Sequence, residues 1–277
     1  MAIWRKQAER VPWSQGKGVA AIAGAGVLCV FLVGVFCFGL AALFNPAAAL
    51  EEGDEVPPPV VLVSEAGESE AAARLRIVSQ EMFVPPGSSP FKGDPTLNEP
   101  GQVFIPDPAD RFGPGGVVTG FPRTAEGALA QLAAVEEAVL ETMCLDVAKA
   151  IHAGWVDESG PEFAQWEQAQ NVQAFLEQAG ATRCKEPGVS VVFDPAAGIV
   201  KGEVGDDWVA VCVLASVQAQ SGGESQTMGY GYCSGMRWHQ DRWMLGEIAA
   251  RAPSMLPGSV QAVLAGWLDW VPVAEGD

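Results

Sequence analysis

Residues 208–245 read WVAVCVLASVQAQSGGESQTMGYGYCSGMRWHQDRWML, and their alternation decides the fold. Two long runs rich in β-branched and aromatic residues flank Gly222-Gly223. That dipeptide suits a two-residue hairpin turn, because glycine takes positive φ without steric cost. Counting outward from the turn sets Ser221 opposite Glu224 and carries the register to Cys212 opposite Cys233. The Ser221–Glu224 pair is hydrogen-bonded and pair type alternates, so an odd number of steps makes the cysteine pair non-hydrogen-bonded. At such a pair the Cα atoms lie about 4.5 Å apart, within reach of a disulfide. The same register puts Val209, Val211, Val213, Ala215 and Val217 on one face with Met228, Tyr230, Tyr232 and Met236, the expected core face. The cysteines share the other face with Gly229, Gly231 and Gly235. A second turn, centred on Gln240-Asp241, brings Trp238 opposite Trp243 as an aromatic cross-strand pair.

Outward from this hairpin, β-branched and aromatic runs predict strands at Val189–Phe193, Ile199–Val204, Trp208–Val217, Thr227–Trp238 and Trp243–Ile248. The preceding stretch is helical in period. Leu129, Leu132, Val139 or Leu140, Met143, Val147 and Ile151 recur on one face, with Glu137 and Glu141 on another. This predicts one helix from an N-cap at Thr124 to His152, ended by Gly154. A second helix is expected to start at the capping-box spacing of Ser159-Gly-Pro-Glu162 and to stop at Gly180. A last amphipathic helix is read over Ser259–Val271. Helices, then strands, then a helix make residues 123–277 an α+β domain, with helices packed on a curved antiparallel sheet.

Residues 45–122 hold 13 of the 20 prolines. Proline removes a donor and fixes φ, so this stretch is expected to be an extended extracytoplasmic stalk. Two islands within it, Val60–Val63 and Arg74–Val84, are candidates to pack on the domain as strands. Upstream, Gly18–Phe44 runs 27 residues without a charge, and a helix of that length exceeds a hydrocarbon core of about 30 Å. Arg5, Lys6, Arg10 and Lys17 precede it, and Glu51, Glu52, Asp54 and Glu55 follow. The positive-inside rule then puts residues 1–17 in the cytoplasm and the C-terminal domain outside, anchored in the cell membrane by a single pass. The alternative is a signal peptide cleaved near Ala47-Ala48-Ala49, but its apolar core would be unusually long. Trp4 and Trp13 flank the span at headgroup level, and Ala20 and Gly24 have the small-xxx-small spacing of packed helices, a hint of homo-oligomerisation.

The chain carries a net charge of −18, and residues 1–45 are net basic, so the exported part is more acidic still. Such a domain repels phosphate backbones, which argues against nucleic acid as a partner. An exported compartment permits disulfides. Cys212–Cys233 is therefore expected from its register, with two packed thiols as the alternative. Cys144–Cys184 is the remaining extramembrane pair, and Cys29 and Cys37 fall in the span. His152 and His239 read as surface residues at a helix end and a turn. No metal-ligand spacing, nucleophile elbow or phosphate loop is present in the sequence, so no cofactor or metal is expected. Asp206-Asp207 reads as a turn. Alternation from Trp243 and Leu245 would send Glu247 inward, where a carboxylate lines a pocket or acts as an acid, the more common alternative being a place at the sheet edge that reaches water. Glu247, Trp238, Trp243 and Trp267 are the candidate pocket or interface residues.

Gly120-Phe-Pro-Arg-Thr124 followed by Gly127-Ala-Leu-Ala130, the Met236–Leu245 hairpin, and Ala265-Gly-Trp-Leu-Asp269 carry a resemblance. The chain resembles bitopic membrane proteins of actinobacterial conjugative elements, whose outer domain is similar to the assembly-factor subunit of type IV secretion machines. That resemblance implies a nuclear-transport-factor-like, cystatin-like cone. It also implies a non-catalytic structural role in a transfer complex, with other envelope subunits and like domains as partners. A membrane-anchored ligand- or lipid-binding domain with a pocket under the sheet is the other reading, and an enzyme built on Glu247 a third.

Overall fold

The structure, a computed structural model, describes residues 61–62, 67–97, 99–109 and 111–273. In chain order its helices are α1 (Glu70–Ser79), α2 (Ala125–Thr142), α3 (Leu145–Trp155), α4 (Glu167–Ala179) and α5 (Val260–Leu264). The strands are β1 (Gln102–Ile105), β2 (Arg111–Phe112), β3 (Val118–Thr119), β4 (Ser190–Val204), β5 (Trp208–Ser221), β6 (Glu224–His239), β7 (Arg242–Ile248) and β8 (Leu268–Pro272). The main sheet has six strands in the order β1-β8-β4-β5-β6-β7. It is mixed and not antiparallel throughout, because β1 pairs parallel with β8. The fold is α+β, with helices packed on this sheet.

The hairpin holds the expected register from Trp208↔Arg237 to Ser221↔Glu224, with Cys212 facing Cys233. Gly222 and Gly223 turn at φ 60° and 89°, where a side chain would be strained. Trp238 stacks edge-on against Trp243 at 5.4 Å between centroids. Both cysteine pairs are disulfides, Cys212–Cys233 across the hairpin and Cys144–Cys184 between the α2–α3 corner and the loop after α4.

Each sheet face is buried. The valine face of β5 meets α2, α3 and α4 in the larger core, which includes Leu129, Leu132, Ile151, Trp155, Trp166 and Phe175. The cysteine face, which the sequence did not mark as core, is covered by Ala73, Ile77 and Val78 of α1 and by Met255, Ala262 and Trp267. Glycines make that cover possible. A Cβ on Gly229 would stand 1.8 Å from the Met255 carbonyl oxygen, so the chain there lies directly on the strand backbone.

Several expectations are corrected. From residue 67 onward the proline-rich stretch is part of the domain, not a stalk, and the Arg74–Val84 island contributes a helix, not a strand. Proline lacks an N–H but keeps its carbonyl. Pro90 O accepts from Gly229 N at 2.8 Å, Pro114 O from Trp155 Nε1 at 2.8 Å, and Pro122 O from Trp243 Nε1 at 2.9 Å. The prolines thus satisfy donors of the core. Thr124 caps α2 as expected, accepting from Gly127 N at 3.1 Å. The predicted long helix nevertheless breaks, since Met143 turns left-handed at φ 40° and Cys144 is tied to Cys184. Ser159 does not cap a helix. Its N–H and hydroxyl donate to Asp157 Oδ1, and α4 starts later. The strands expected around residue 195 are one strand with register shifts. The last helix ends at Leu264, because Gly266 turns at φ 87° and frees residues 268–272 to pair with β1 and β4. Among the described residues no helix is long and apolar enough to cross a membrane. The expected span Gly18–Phe44 and the tail before it lie outside them.

Candidate functional site

The β1 edge has the features of an attachment site. Val103 and Ile105 bury their side chains in the larger core, while Gln102 and Phe104 alternate outward and Phe104 is 57% exposed. In the parallel pairing with β8, Asp269 N donates to Gly101 O at 2.7 Å and Val273 N to Ile105 O at 2.9 Å. That pattern commits the odd-numbered backbone groups of β1 inward. The N–H and C=O groups of Gln102 and Phe104 face away from β8, and among the described residues they have no partner.

The sheet's other margins are covered at several points. β7 is covered by Val156, and Asp157 N donates to Leu245 O at 2.8 Å. Along β4, Leu62 bridges residues 201–203, with Leu62 N to Lys201 O at 3.0 Å and Glu203 N to Leu62 O at 3.1 Å. Nearer its start, Phe193 N donates to Glu141 Oε1 at 3.0 Å, and Pro195 has no donor to offer. Charges, prolines and covering loops are the usual guards of an edge. β1 has no charge in its four residues.

Beside β1 lies a groove of about 470 Å³. It opens where β8, pairing with β4 only at Ala197 and Gly198, leaves β4 uncovered before Leu62 takes over. Val61, Phe104, Pro122, Ile199 and Leu268 give it apolar walls, and Glu126 is the single charged residue in its lining. Comparison with family models, curated proteins and solved structures finds no match for this chain. The site is therefore read from its own chemistry.

The sequence candidates do not converge on this site. Trp238 and Trp243 meet each other, with Trp243 buried in the larger core. Trp267 sits in the smaller core on the opposite face. Glu247 does not follow Trp243 and Leu245 inward. Met236 pairs with Leu245 but Ser234 with Ile248, so β7 carries an extra residue and alternation inverts. Glu247 then accepts from Trp208 Nε1 at 2.8 Å on the cysteine face, with Arg237 Nη2 at 3.7 Å. His152 is half-buried, donating Nε2–H to Pro161 O at 2.8 Å between the rings of Phe163 and Trp166.

Two buried groups went unread in the sequence. Glu136 of α2, fully buried, accepts from Tyr230 Oη at 3.2 Å and from Gln168 Nε2 of α4, and Asn171 Nδ2 donates to Tyr230 at 3.3 Å. Burial pushes its carboxyl well above the usual range and the nearby Glu167 adds to this, against the opposing hydrogen bonds from Tyr230 and Gln168. Its spacing four residues after Leu132 and three before Val139 placed it in the apolar stripe, and that was the available signal. Lys201 is the residue bulged between Val200 and Gly202. The bulge turns it under α1, where Nζ donates to Val78 O at 3.3 Å and to Gln80 O, capping carbonyls at the helix end. Burial lowers its ammonium to about 8. No strand pattern signals a bulge, so Lys201 was not readable from the sequence.

Proposed function

We propose that this chain is a membrane-anchored, non-catalytic assembly subunit of a cell-envelope transfer complex, working through protein–protein contacts of its extracytoplasmic domain. The observation that carries the reading is the β1 edge, uncharged and, among the described residues, unpaired beside an apolar groove, on a sheet whose other margins are covered at several points. β-strand addition at such an edge combines backbone hydrogen bonds with side-chain pockets. Residues 18–44 anchor the chain, with the N-terminus cytoplasmic. The two disulfides support placing the folded domain in an oxidising compartment. The resemblance to assembly-factor domains of type IV secretion machines, and the cystatin-like cone it implies, draws support from a helix layer packed over long strands.

The test is extraction of the tagged chain from its native host in mild detergent, followed by sizing and identification of what co-purifies. A large complex holding a conjugation ATPase or other channel subunits supports the reading, and a lone monomer overturns it. The groove also suits a second reading, since its volume falls in the range of small-ligand sites. Native mass spectrometry of the same sample tests that reading, which a retained lipid or small molecule would support and a bare chain would remove.

A further inference from the structure

We propose that Cys144–Cys184 is a thiol–disulfide exchange site, opened by attack of an external thiol on Cys184, whereas Cys212–Cys233 is a closed structural bond. The inference goes beyond the protein-contact reading above and does not depend on it. What covers the two bonds differs. Cys212 is fully buried and Cys233 is 4% exposed. Both lie in the smaller core under α1, with Met82 Sδ 3.8 Å from Cys233 Sγ. Exchange needs a thiolate to reach a disulfide sulfur, so neither of these can be attacked while α1 is docked. Cys144–Cys184 is lopsided instead. Cys144 is 8% exposed at the α2–α3 corner. Within the described chain Cys184 is exposed, in the loop between α4 and β4, as are its neighbours Thr182, Arg183 and Glu186. Access therefore selects Cys184 as the sulfur attacked.

The other sulfur is placed to leave. Cys144 is the N-cap of α3, an 11-residue helix. Leu145 N donates to Arg183 O at 2.8 Å and Ala148 N to Cys144 O at 2.9 Å. The N–H groups of Asp146 and Val147 are then the donors that the helix start leaves over. A thiolate released at Cys144 meets these donors and the positive end of the helix dipole, and a better stabilised thiolate leaves faster. The Asp146 carboxylate in the same turn would oppose this, but it is paired with Arg183.

The step balances with thiol as the co-reactant. An external thiolate bonds to Cys184 Sγ, the Cys144–Cys184 bond breaks, and the electron pair leaves on Cys144 Sγ, which then takes a proton from water. A second thiolate attacks the external sulfur of this mixed disulfide and releases Cys184 as thiolate. The protein bond gains two electrons, and the two external thiols lose them as they join. The corner keeps its shape meanwhile, because Leu145 N to Arg183 O and Lys185 N to Met143 O, at 3.0 Å, flank the bond on both sides. These backbone bonds hold the two thiols side by side for re-oxidation. Exchange thus loosens the α2–α3 corner reversibly, where Met143 turns left-handed at φ 40°, and leaves the sheet intact.

The experiment uses the full-length chain in mild detergent, with free thiols, Cys29 and Cys37 included, first blocked by N-ethylmaleimide. The probe is 2-mercaptoethanol, an uncharged thiol that the acidic domain does not repel. Timed samples are quenched with isotopically heavy N-ethylmaleimide and mapped by peptide mass spectrometry. The first product is expected to carry mercaptoethanol on Cys184 and the heavy label on Cys144. Cys212–Cys233 should open more slowly by roughly a hundredfold or more, because attack there waits on local opening of its cover. The Cys144–Cys184 rate should stay level with added urea below the unfolding transition, since direct attack needs no unfolding. Mercaptoethanol found first on Cys144, equal opening of both bonds, or no opening of either in the folded chain overturns the proposal. A Cys144–Cys184 rate that climbs with urea from the start also overturns it. Each of these results leaves the assembly-subunit reading untouched, since that reading is tested by what co-purifies.

Discussion

Removing the Cys212–Cys233 disulfide as Cys212→Ala/Cys233→Ala gives a magnitude that can be worked from the structure. The cysteines are 21 residues apart, and closing a loop of that size restricts the unfolded chain by an entropy equivalent to about 3.3 kcal/mol at 25 °C. For Cys144–Cys184, 40 residues apart, the same relation gives about 3.9 kcal/mol. Both losses are large against the 5–15 kcal/mol that holds a typical domain together. Cys212 is fully buried beneath α1, so alanine there also leaves a small cavity and the first figure is a floor. The assay is urea unfolding of the full-length chain in mild detergent, followed by the fluorescence of buried Trp155, Trp166 and Trp208. With an m-value of about 2–3 kcal/mol/M for a domain of this size, each double variant should lower the midpoint by about 1–2 M. A midpoint within about 0.3 M of the parent for either pair would refute the loop-closure reasoning.

Three further outcomes are expected. Burial raises the Glu136 carboxyl, so the folded state binds its proton more tightly than the unfolded chain. That stability is fully present below the unfolded value of about 4.3 and is lost as pH rises through the higher folded value. Glu136→Gln should therefore gain on the parent at neutral pH and converge with it near pH 4, and a gap between the two unfolding curves that ignores pH would contradict this. Lys201 has the opposite sense: its folded value near 8 lies below the reference, so the parent should gain stability between pH 8 and about 10.5. The gain is at most about 3 kcal/mol, and urea midpoints of Lys201→Met should lack that rise. Thr124→Ala removes the acceptor for Gly127 N and should cost about 1 kcal/mol in the same unfolding assay, whereas an unchanged midpoint would mean that the cap adds nothing.

Turn chemistry and alternation alone determined the hairpin. Glycines at the turn admit one tight geometry, and from it the register, the two faces, the facing cysteines and the Trp238–Trp243 pair follow by counting. The α+β class and the N-cap at Thr124 were legible for the same reason, because each depends on residues close in sequence. Tertiary contacts decided the rest. Alternation lost Glu247 where β7 holds an extra residue, and a bulge with no local signature turned Lys201 beneath α1. Prolines 85–122 looked like a spacer because their missing donors forbid long regular elements. Whether their carbonyls would meet donors such as Trp155 and Trp243 depends on side chains distant in the chain. The same holds for β1. Its four residues between two prolines carry no strand signal of their own, and they become a sheet edge only because Gly266 ends a helix early and sends β8 alongside.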